Sequence, residues 1–207
     1  MTEWLANVST GYVIAAIAIL LVARLILERY KSPIGKSMAE VVESAMIAIA
    51  LVFLLIRPFV VQAFFIPSPS MSPTLMEGDH ILVNKLIYRF REPKAGEIIV
   101  FRAPPEASND GVEKDFIKRL VAVPGDVIEV RDGQLYRNDV PASEPYLEEK
   151  MGYSLKPTRI AEGRLYVLGD NRNDSRDSHW WGQLERKRVI GKAMFRFWPP
   201  RRFGSIR

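Results

Sequence analysis

The chain has 207 residues, 48% of them hydrophobic and 26% charged, which excludes a disordered chain and leaves little room for two full domains of about 100 to 200 residues each. It has no cysteine and two histidines, so disulfides, thiolate metal sites and a cysteine nucleophile are excluded, and no metal site is expected. The net charge of +5 invites a nucleic-acid partner, but basic and acidic residues are interspersed along most of the chain, and no such partner is expected.

Two apolar segments come first along the chain. The first covers residues 12–27, interrupted only by Arg24, and the second covers 41–56, interrupted by Glu43 and Ser44. About 20 apolar residues cross a hydrocarbon core, and an arginine near one end of a slightly shorter segment can reach the headgroups. We therefore predict two transmembrane helices. An interfacial or buried helix stays open for the first segment, as do two buried helices of a soluble domain for the pair.

The basic residues between these segments predict an orientation. Arg24, Arg29, Lys31 and Lys36 form the one local excess of positive charge. Because Lys and Arg concentrate on the cytoplasmic side of a membrane, this loop is expected inside. The N-terminus and everything after Arg57 are then expected outside.

The rest of the chain is predicted to be β-rich. Short β-like runs separated by turn residues predict strands at 60–66, 81–86, 97–102, 115–123, 127–131, 134–136, 164–168 and 189–198. Asp132-Gly133 predicts a tight hairpin, and residues 138–163, rich in Pro, Glu and Lys, predict an excursion from the main sheet. The predicted fold is mainly β: a membrane anchor over 1–57 precedes an extracytoplasmic antiparallel-sheet domain over 58–207.

The segment from Ile66 to Leu75 has an unusual composition, with three prolines and four hydroxyl residues in ten positions. Proline fixes its own φ and restricts the residue before it, so the segment is predicted to be extended and rigid. In a strand, Phe64, Ile66, Ser68 and Ser70 would share one face. A membrane-proximal linker is the alternative.

A lysine with apolar neighbours lies in the next unusual run, 115–126. If Lys118 faces the protein interior, burial lowers its pKa, and a neutral lysine can act as general base for a serine hydroxyl. Arg119 cannot, because a guanidinium stays protonated. A solvated strand lysine is the alternative for Lys118, and Lys85 is a rival base.

The third run, 169–179, is a dense polar loop that follows a predicted apolar strand. Asp and Asn satisfy backbone groups in turns, which accounts for the composition without any catalytic role. The alternative is that Ser175 and Asp177 orient a base or pair with an arginine.

Together the three runs resemble the bacterial type I signal peptidases, membrane-anchored serine endopeptidases that remove secretory signal peptides. The resemblance covers about 59–198 and extends to the paired N-terminal anchors. It implies that Ser70 is the nucleophile, Lys118 the general base and Ser68 an oxyanion donor. It also implies that Ser175 hydrogen-bonds the lysine and that a structural ion pair joins Arg119 and Asp170.

The same resemblance implies the substrate and the setting. Secretory precursors would be cut after small residues, at an Ala-x-Ala site, without metal or cofactor, at the cytoplasmic membrane and in contact with its lipids. The shallow substrate pockets are expected to be formed by apolar residues of both strands and the turn: Phe64, Ile66, Leu75, Phe116 and Ile117.

Two positions depart from the family pattern. His179 stands where many members have an arginine paired with the nearby aspartate, here Asp177, and Pro69 stands where glycine is frequent. His179 keeps a Ser–His pair open as an alternative to Ser–Lys. A self-cleaving or processing Ser–Lys protease of the same fold and a non-catalytic membrane-anchored binding domain are further alternatives.

Overall fold

The computed structural model describes residues 10–29, 33–52, 61–108 and 111–206, and the chain divides after Val61 into two compact units. The first unit contains helices α1 (Thr10–Arg29) and α2 (Pro33–Ala50), which pack against each other. Proline suits the first position of α2, because the N–H groups of the first turn have no partner within the helix and proline has no N–H. Among the described residues, the helix over Gly11–Arg29 is long and apolar enough to cross a membrane, with a mean hydropathy of 2.2.

Of the two predicted transmembrane helices, one thus has a described counterpart with the length and hydropathy of a membrane span, and the pair is not confirmed. Residues 41–50 of the second predicted segment lie in α2, whereas 53–56 lie outside the described residues. The described part of α2 begins earlier than predicted and contains Lys36, Glu40 and Glu43, which lower its hydropathy. The guanidinium of Arg24 lies 3.1 Å from the carboxylate of Glu43, so the charges that interrupt the two apolar segments compensate each other.

The second unit is built from β-strands, and all eight predicted strands are present. The described strands are β1 (Val61–Phe65), β2 (His80–Asn84), β3 (Ile98–Arg102), β4 (Asp115–Ala122), β5 (Val127–Arg131), β6 (Gln134–Arg137), β7 (Val140–Pro141), β8 (Leu155–Arg159), β9 (Arg164–Leu168), β10 (Leu184–Glu185), β11 (Val189–Trp198) and β12 (Gly204–Ser205). Two one-turn helices, α3 (Ile87–Phe90) and α4 (Ser178–Trp181), and short 3-10 turns connect them. The unit is mainly β, as predicted.

The larger sheet has the strand order β1-β2-β11-β3-β4-β9-β10, with β12 added beside β11. Strand β11 pairs antiparallel with β2 on one side and with β3 on the other, so that Lys192 lies opposite both Asn84 and Ile99. The last long strand of the chain therefore lies in the middle of the sheet.

The smaller sheet has the order β7-β6-β5-β8. Its β5–β6 hairpin turns at Asp132 and Gly133, whose φ angles are 53° and 74°, which are the positive values that a two-residue hairpin loop requires. The predicted excursion at 138–163 supplies β7 and β8, two strands that the sequence pattern did not reveal. Their alternation is weak because most of their side chains are exposed.

One hydrophobic cluster of the second unit lies beneath the predicted nucleophile segment. It contains Ile66, Met71, Leu75, Ile81 and Val83, each at most 2% exposed. Burial of about 1.5–3 kcal/mol per large apolar side chain fixes Ile66 on one side of Ser70 and Met71 on the other. The short segment between them is thereby held at the surface of the core.

Candidate active site

The predicted nucleophile lies in a 3-10 turn, Pro69–Met71, that follows β1. Strand β1 ends at Phe65, within one residue of the predicted end, and the Ile66 backbone N–H donates to the Asp79 carbonyl oxygen at 2.9 Å. The chain then turns at Pro69, so the alternation of side chains that a strand would give does not continue to Ser70. Buried Ile66 and Met71 flank the segment, while Ser68 is exposed and Ser70 partly exposed. The turn thus presents the serine hydroxyls at the surface.

The predicted base lies in the middle of the larger sheet. Lys118 of β4 pairs with Ile99 of β3, and its residue is only 4% exposed. Its Nζ lies 2.5 Å from Ser70 Oγ. Burial lowers the pKa of Lys118 to about 8, although the nearby carboxylates of Asp177 and Asp170 act in the opposite direction. The solvated-lysine interpretation is therefore wrong, and burial makes a much larger fraction of the amine neutral near physiological pH than in an exposed lysine.

The rival base is elsewhere in the fold. Lys85 lies just after β2 and lines a separate polar cavity with Tyr88, Arg102 and Arg186, away from Ser70.

An apolar groove of about 460 Å³ borders the two side chains. Four of the five residues predicted to form substrate pockets line it: Phe64, Ile66, Phe116 and Ile117. The fifth, Leu75, does not; it is fully buried in the core cluster below, because the turn at Pro69 directs the following residues inward. At the groove, Ser68 Oγ lies 3.2 Å from Ser70 Oγ.

The predicted ion pair is present beside the lysine. The guanidinium of Arg119 donates from Nε and Nη2 to the two carboxylate oxygens of Asp170, at 2.8 and 2.7 Å, and both side chains are buried. Thr74 Oγ1 also donates to Asp170 at 2.6 Å. A buried charge pair with further hydrogen bonds satisfies its own lone pairs, so this pair ties β4 to the polar loop and to the turn after Ser70.

Ser175 is placed beside the site but not as predicted. Its hydroxyl is buried and has no hydrogen-bond partner among the described residues, so the expected bond to Lys118 is wrong in this structure. The lysine amine is directed to Ser70 instead. Ser175 packs against Gly169, where any side-chain carbon would overlap both the Ser175 hydroxyl and the Ser70 carbonyl oxygen.

Asp177 is fully buried and organises the polar loop. It accepts hydrogen bonds from the backbone nitrogen of Gly169 at 2.8 Å and of His179 at 3.2 Å. The His179 ring nitrogen Nδ1 lies 2.9 Å from Asp177, and the ring stacks on Tyr153 with centroids 4.2 Å apart. His179 does not line the groove, so the geometry favours Lys118 over the Ser–His alternative.

Sequence reasoning missed three residues of the site: Gly169, Arg172 and Glu144. Gly169 and Arg172 lie within the polar run that the sequence singled out, but only the close approach to Ser70 distinguishes this glycine from the others. Glu144 lies in the excursion at 138–163, and no sequence signal connects it to a loop 28 residues away.

A serine hydroxyl within hydrogen-bond reach of a base is the signature of nucleophilic serine catalysis, and so the β fold and its site define a serine hydrolase. A family model described as "Signal peptidase, peptidase S26" matches residues 38–198. The chain is 44% identical over 163 residues to "Probable signal peptidase I-1" of Synechocystis sp., which covers 78% of this chain and 83% of that protein. The chain belongs to the signal peptidase family, peptidase S26, and is a serine peptidase, which confirms the resemblance.

Two further relatives show how far the similarity extends. "Thylakoidal processing peptidase 1, chloroplastic" of Arabidopsis thaliana is 44% identical over 154 residues, with 72% of this chain and 45% of that protein covered. The chain thus spans less than half of that relative. A crystal structure of a signal peptidase I from Enterococcus faecalis matches 49% of this chain and 97% of that chain at 31% identity, with a TM-score of 0.42.

Proposed function

We propose that this serine peptidase is a membrane-bound endopeptidase that removes signal peptides from secreted precursors, with Ser70 as nucleophile and Lys118 as general base. The observation that carries the proposal is the 2.5 Å contact between Lys118 Nζ and Ser70 Oγ at the edge of an apolar groove. A base within hydrogen-bond reach and with a pKa near the working pH satisfies both requirements of general base catalysis.

The chemistry follows from this contact. Neutral Lys118 takes the proton of Ser70 as the hydroxyl oxygen attacks the scissile carbonyl carbon, and the resulting ammonium passes a proton to the leaving amine. The ester-linked acyl-enzyme is then hydrolysed by a water molecule that Lys118 deprotonates. Ser68 Oγ lies beside the reacting oxygen and, with the Ser70 backbone N–H, would stabilise the developing oxyanion.

The groove supports cleavage after small residues. Its walls come from β1 and the following turn on one side and from the beginning of β4 on the other. Among the described residues, β1 is the terminal strand of the larger sheet, so an extended substrate segment could pair with its outer edge. Alternate substrate side chains would then face Ile66 and Ile117, whose side chains restrict the space to small residues such as alanine.

We further propose that residues 1–57 anchor the enzyme through two membrane-spanning segments, with the catalytic unit on the extracytoplasmic side. The apolar helix over Gly11–Arg29 supports the first span. Ser70 follows Arg57 by 13 residues, at most about 45 Å of extended chain, which would hold the nucleophile near the membrane surface. Reporter fusions after Lys31 should report a cytoplasmic location and fusions at the C-terminus an external one; the reverse result would contradict this orientation.

The function is tested with the full chain in lipid vesicles and a secretory precursor as substrate. Ser70→Ala and Lys118→Ala should each abolish cleavage, whereas Lys85→Ala, the matched lysine control, should retain it. A peptide aldehyde or other serine-directed inhibitor should label the wild type at Ser70. Cleavage that survives Ser70→Ala would refute the assignment of the nucleophile.

The same experiment separates the alternatives. A non-catalytic binding domain predicts no precursor cleavage by the wild type. A self-cleaving protease predicts cleavage of its own chain and none of the precursor added in excess.

A further inference from the structure

The connection between β7 and β8 of the smaller sheet contacts the polar loop at 169–179 through a buried ion pair. Arg172 lies three residues after Gly169, and its Nη1 and Nη2 donate to the Glu144 carboxylate at 2.8 and 2.5 Å. The side chains are only 1% and 8% exposed. Glu144 lies in the connection between β7 and β8, so this pair joins two segments that are remote in sequence.

The Arg172 guanidinium has a third partner in the loop. Its Nε donates to the Gly169 carbonyl oxygen at 3.0 Å, and therefore the carboxylate of Glu144 fixes the plane of a group that holds Gly169. Burial alone disfavours the charge of Arg172, but the hydrogen bonds and charge of Glu144 outweigh this and raise its pKa. A bidentate pair of this kind adds geometric specificity as well as energy.

Gly169 and its neighbour hold the backbone of the nucleophile. Gly169 packs directly against the Ser70 carbonyl oxygen, and the backbone nitrogen of Asn171 donates to the same oxygen at 3.2 Å. The side-chain amide of Asn171 reaches the Pro69 carbonyl at 3.4 Å. A displacement of this loop therefore moves the backbone that carries Ser70.

The segment around Glu144 also contacts the ion pair beside the base. Tyr146 donates to Glu144 at 2.8 Å, and the guanidinium of Arg119 stacks on the Tyr146 ring at 3.7 Å from its centroid. The connection between β7 and β8 thus contacts side chains that support both reacting residues.

We infer that Glu144 is a positioning residue for the proposed reaction: through Arg172 and Gly169 it sets the position of Ser70 relative to Lys118. This inference rests on the proposed function, and it gives the excursion at 138–163 the role of holding the polar loop at 169–179 in position. Glu144 does not line the groove, so its loss should affect the chemical step more than substrate binding.

The test compares Glu144→Gln with Glu148→Gln, an exposed glutamate in the same connection. Active sites are counted by stoichiometric acylation, so that kcat refers to folded enzyme only. We expect Glu144→Gln to lower kcat per active site by about 10- to 100-fold, since a misplacement of about 1 Å can reduce a rate by about 100-fold. KM should change less than about twofold, and Glu148→Gln should match the wild type.

A second readout separates positioning from mere stability. A loosened loop admits water to Lys118, whose burial is the largest cause of its lowered pKa, so the rise of kcat/KM with pH should move to higher pH in Glu144→Gln. If this variant does not fold, Glu144→Asp keeps the charge and shortens the side chain by one methylene, and should give a smaller loss of kcat with the same shift.

A variant with wild-type kcat per active site and an unchanged pH profile would overturn the inference. That outcome differs from failure of the proposed function, which would appear as precursor cleavage by Ser70→Ala.

Discussion

The pH dependence of precursor cleavage should reflect the buried lysine. Burial lowers the pKa of Lys118 from 10.5 to about 8, against the opposing charges of Asp177 and Asp170. Because the proposed reaction requires the neutral amine to accept the Ser70 proton, kcat/KM should rise tenfold per pH unit below about pH 8 and become constant above it. The perturbation is a change of pH from 6 to 10 at constant ionic strength.

The size of the effect follows from the protonation equilibrium. At pH 7 a lysine with a pKa of about 8 is neutral in about one molecule in ten, whereas with the ordinary value it would be neutral in about one in 3,000. Burial therefore increases the neutral fraction of Lys118 by about 300-fold at pH 7. Asp177→Asn removes a charge that raises this pKa, and so it should move the rise in activity to lower pH.

The assay uses a peptide substrate without ionisable groups near the cleaved bond, so that the pH dependence of kcat/KM reports the pKa values of groups in the free enzyme. Lys118→Arg is the control and should be inactive throughout, because its guanidinium stays protonated. A rise centred near pH 10 would refute the reasoning, since it would mean that burial does not lower the lysine pKa in the working enzyme. Activity that survives in Lys118→Met and is lost in His179→Gln would instead identify a histidine base.

Three further variants test the structure around the nucleophile. Gly169→Ala should lower kcat by about 100-fold or more, since its methyl group overlaps the nucleophile's carbonyl oxygen, whereas Gly204→Ala, with no neighbour within 4 Å, should behave as wild type. Ser68→Ala should lower kcat by about 100- to 1,000-fold with little change in KM; Ser72→Ala, whose hydroxyl donates to the Met76 sulfur, is the control, and equal effects would refute an oxyanion role. Lys118→Met should raise the free energy of unfolding at pH 7 by up to about 3 kcal/mol, and the gain should decline between pH 8 and 10.5, where the folded lysine has lost its proton and the unfolded lysine still holds it; a gain that is independent of pH would contradict this.

The strands of the second unit are predictable from sequence because each has local alternation and clear turn signals. The meeting of Ser70 and Lys118 follows from no local signal, since they are 48 residues apart and come together only through strand pairing. The family resemblance identified both, but it placed Leu75 at the groove. The turn at Pro69 directs Leu75 into the core instead, and this depends on packing that no sequence period reveals.

The second sheet marks the limit of what the sequence reveals. Its strands β7 and β8 are short and exposed, so their alternation is weak, and the contact of Glu144 with Arg172 depends on how the two sheets are arranged. The second membrane segment was predicted from its hydropathy. The charged residues within α2 lower that hydropathy, but Arg24 of α1 pairs with one of them, Glu43. Hydropathy counts each residue separately and so does not register this compensation.

The central place of β11 in the larger sheet has a consequence for the timing of activity during synthesis. Without this strand the sheet would separate into two pieces: β1 and β2, from which the nucleophile segment extends, and β3, β4 and β9, which contain the base. Residues 189–198 follow both Ser70 and Lys118 in the sequence, so the sheet that brings these two residues together can close only after β11 has been synthesised and has paired with β2 and β3. A nascent polypeptide that lacks β11 would thus be unable to cut, although it would already contain both reacting residues.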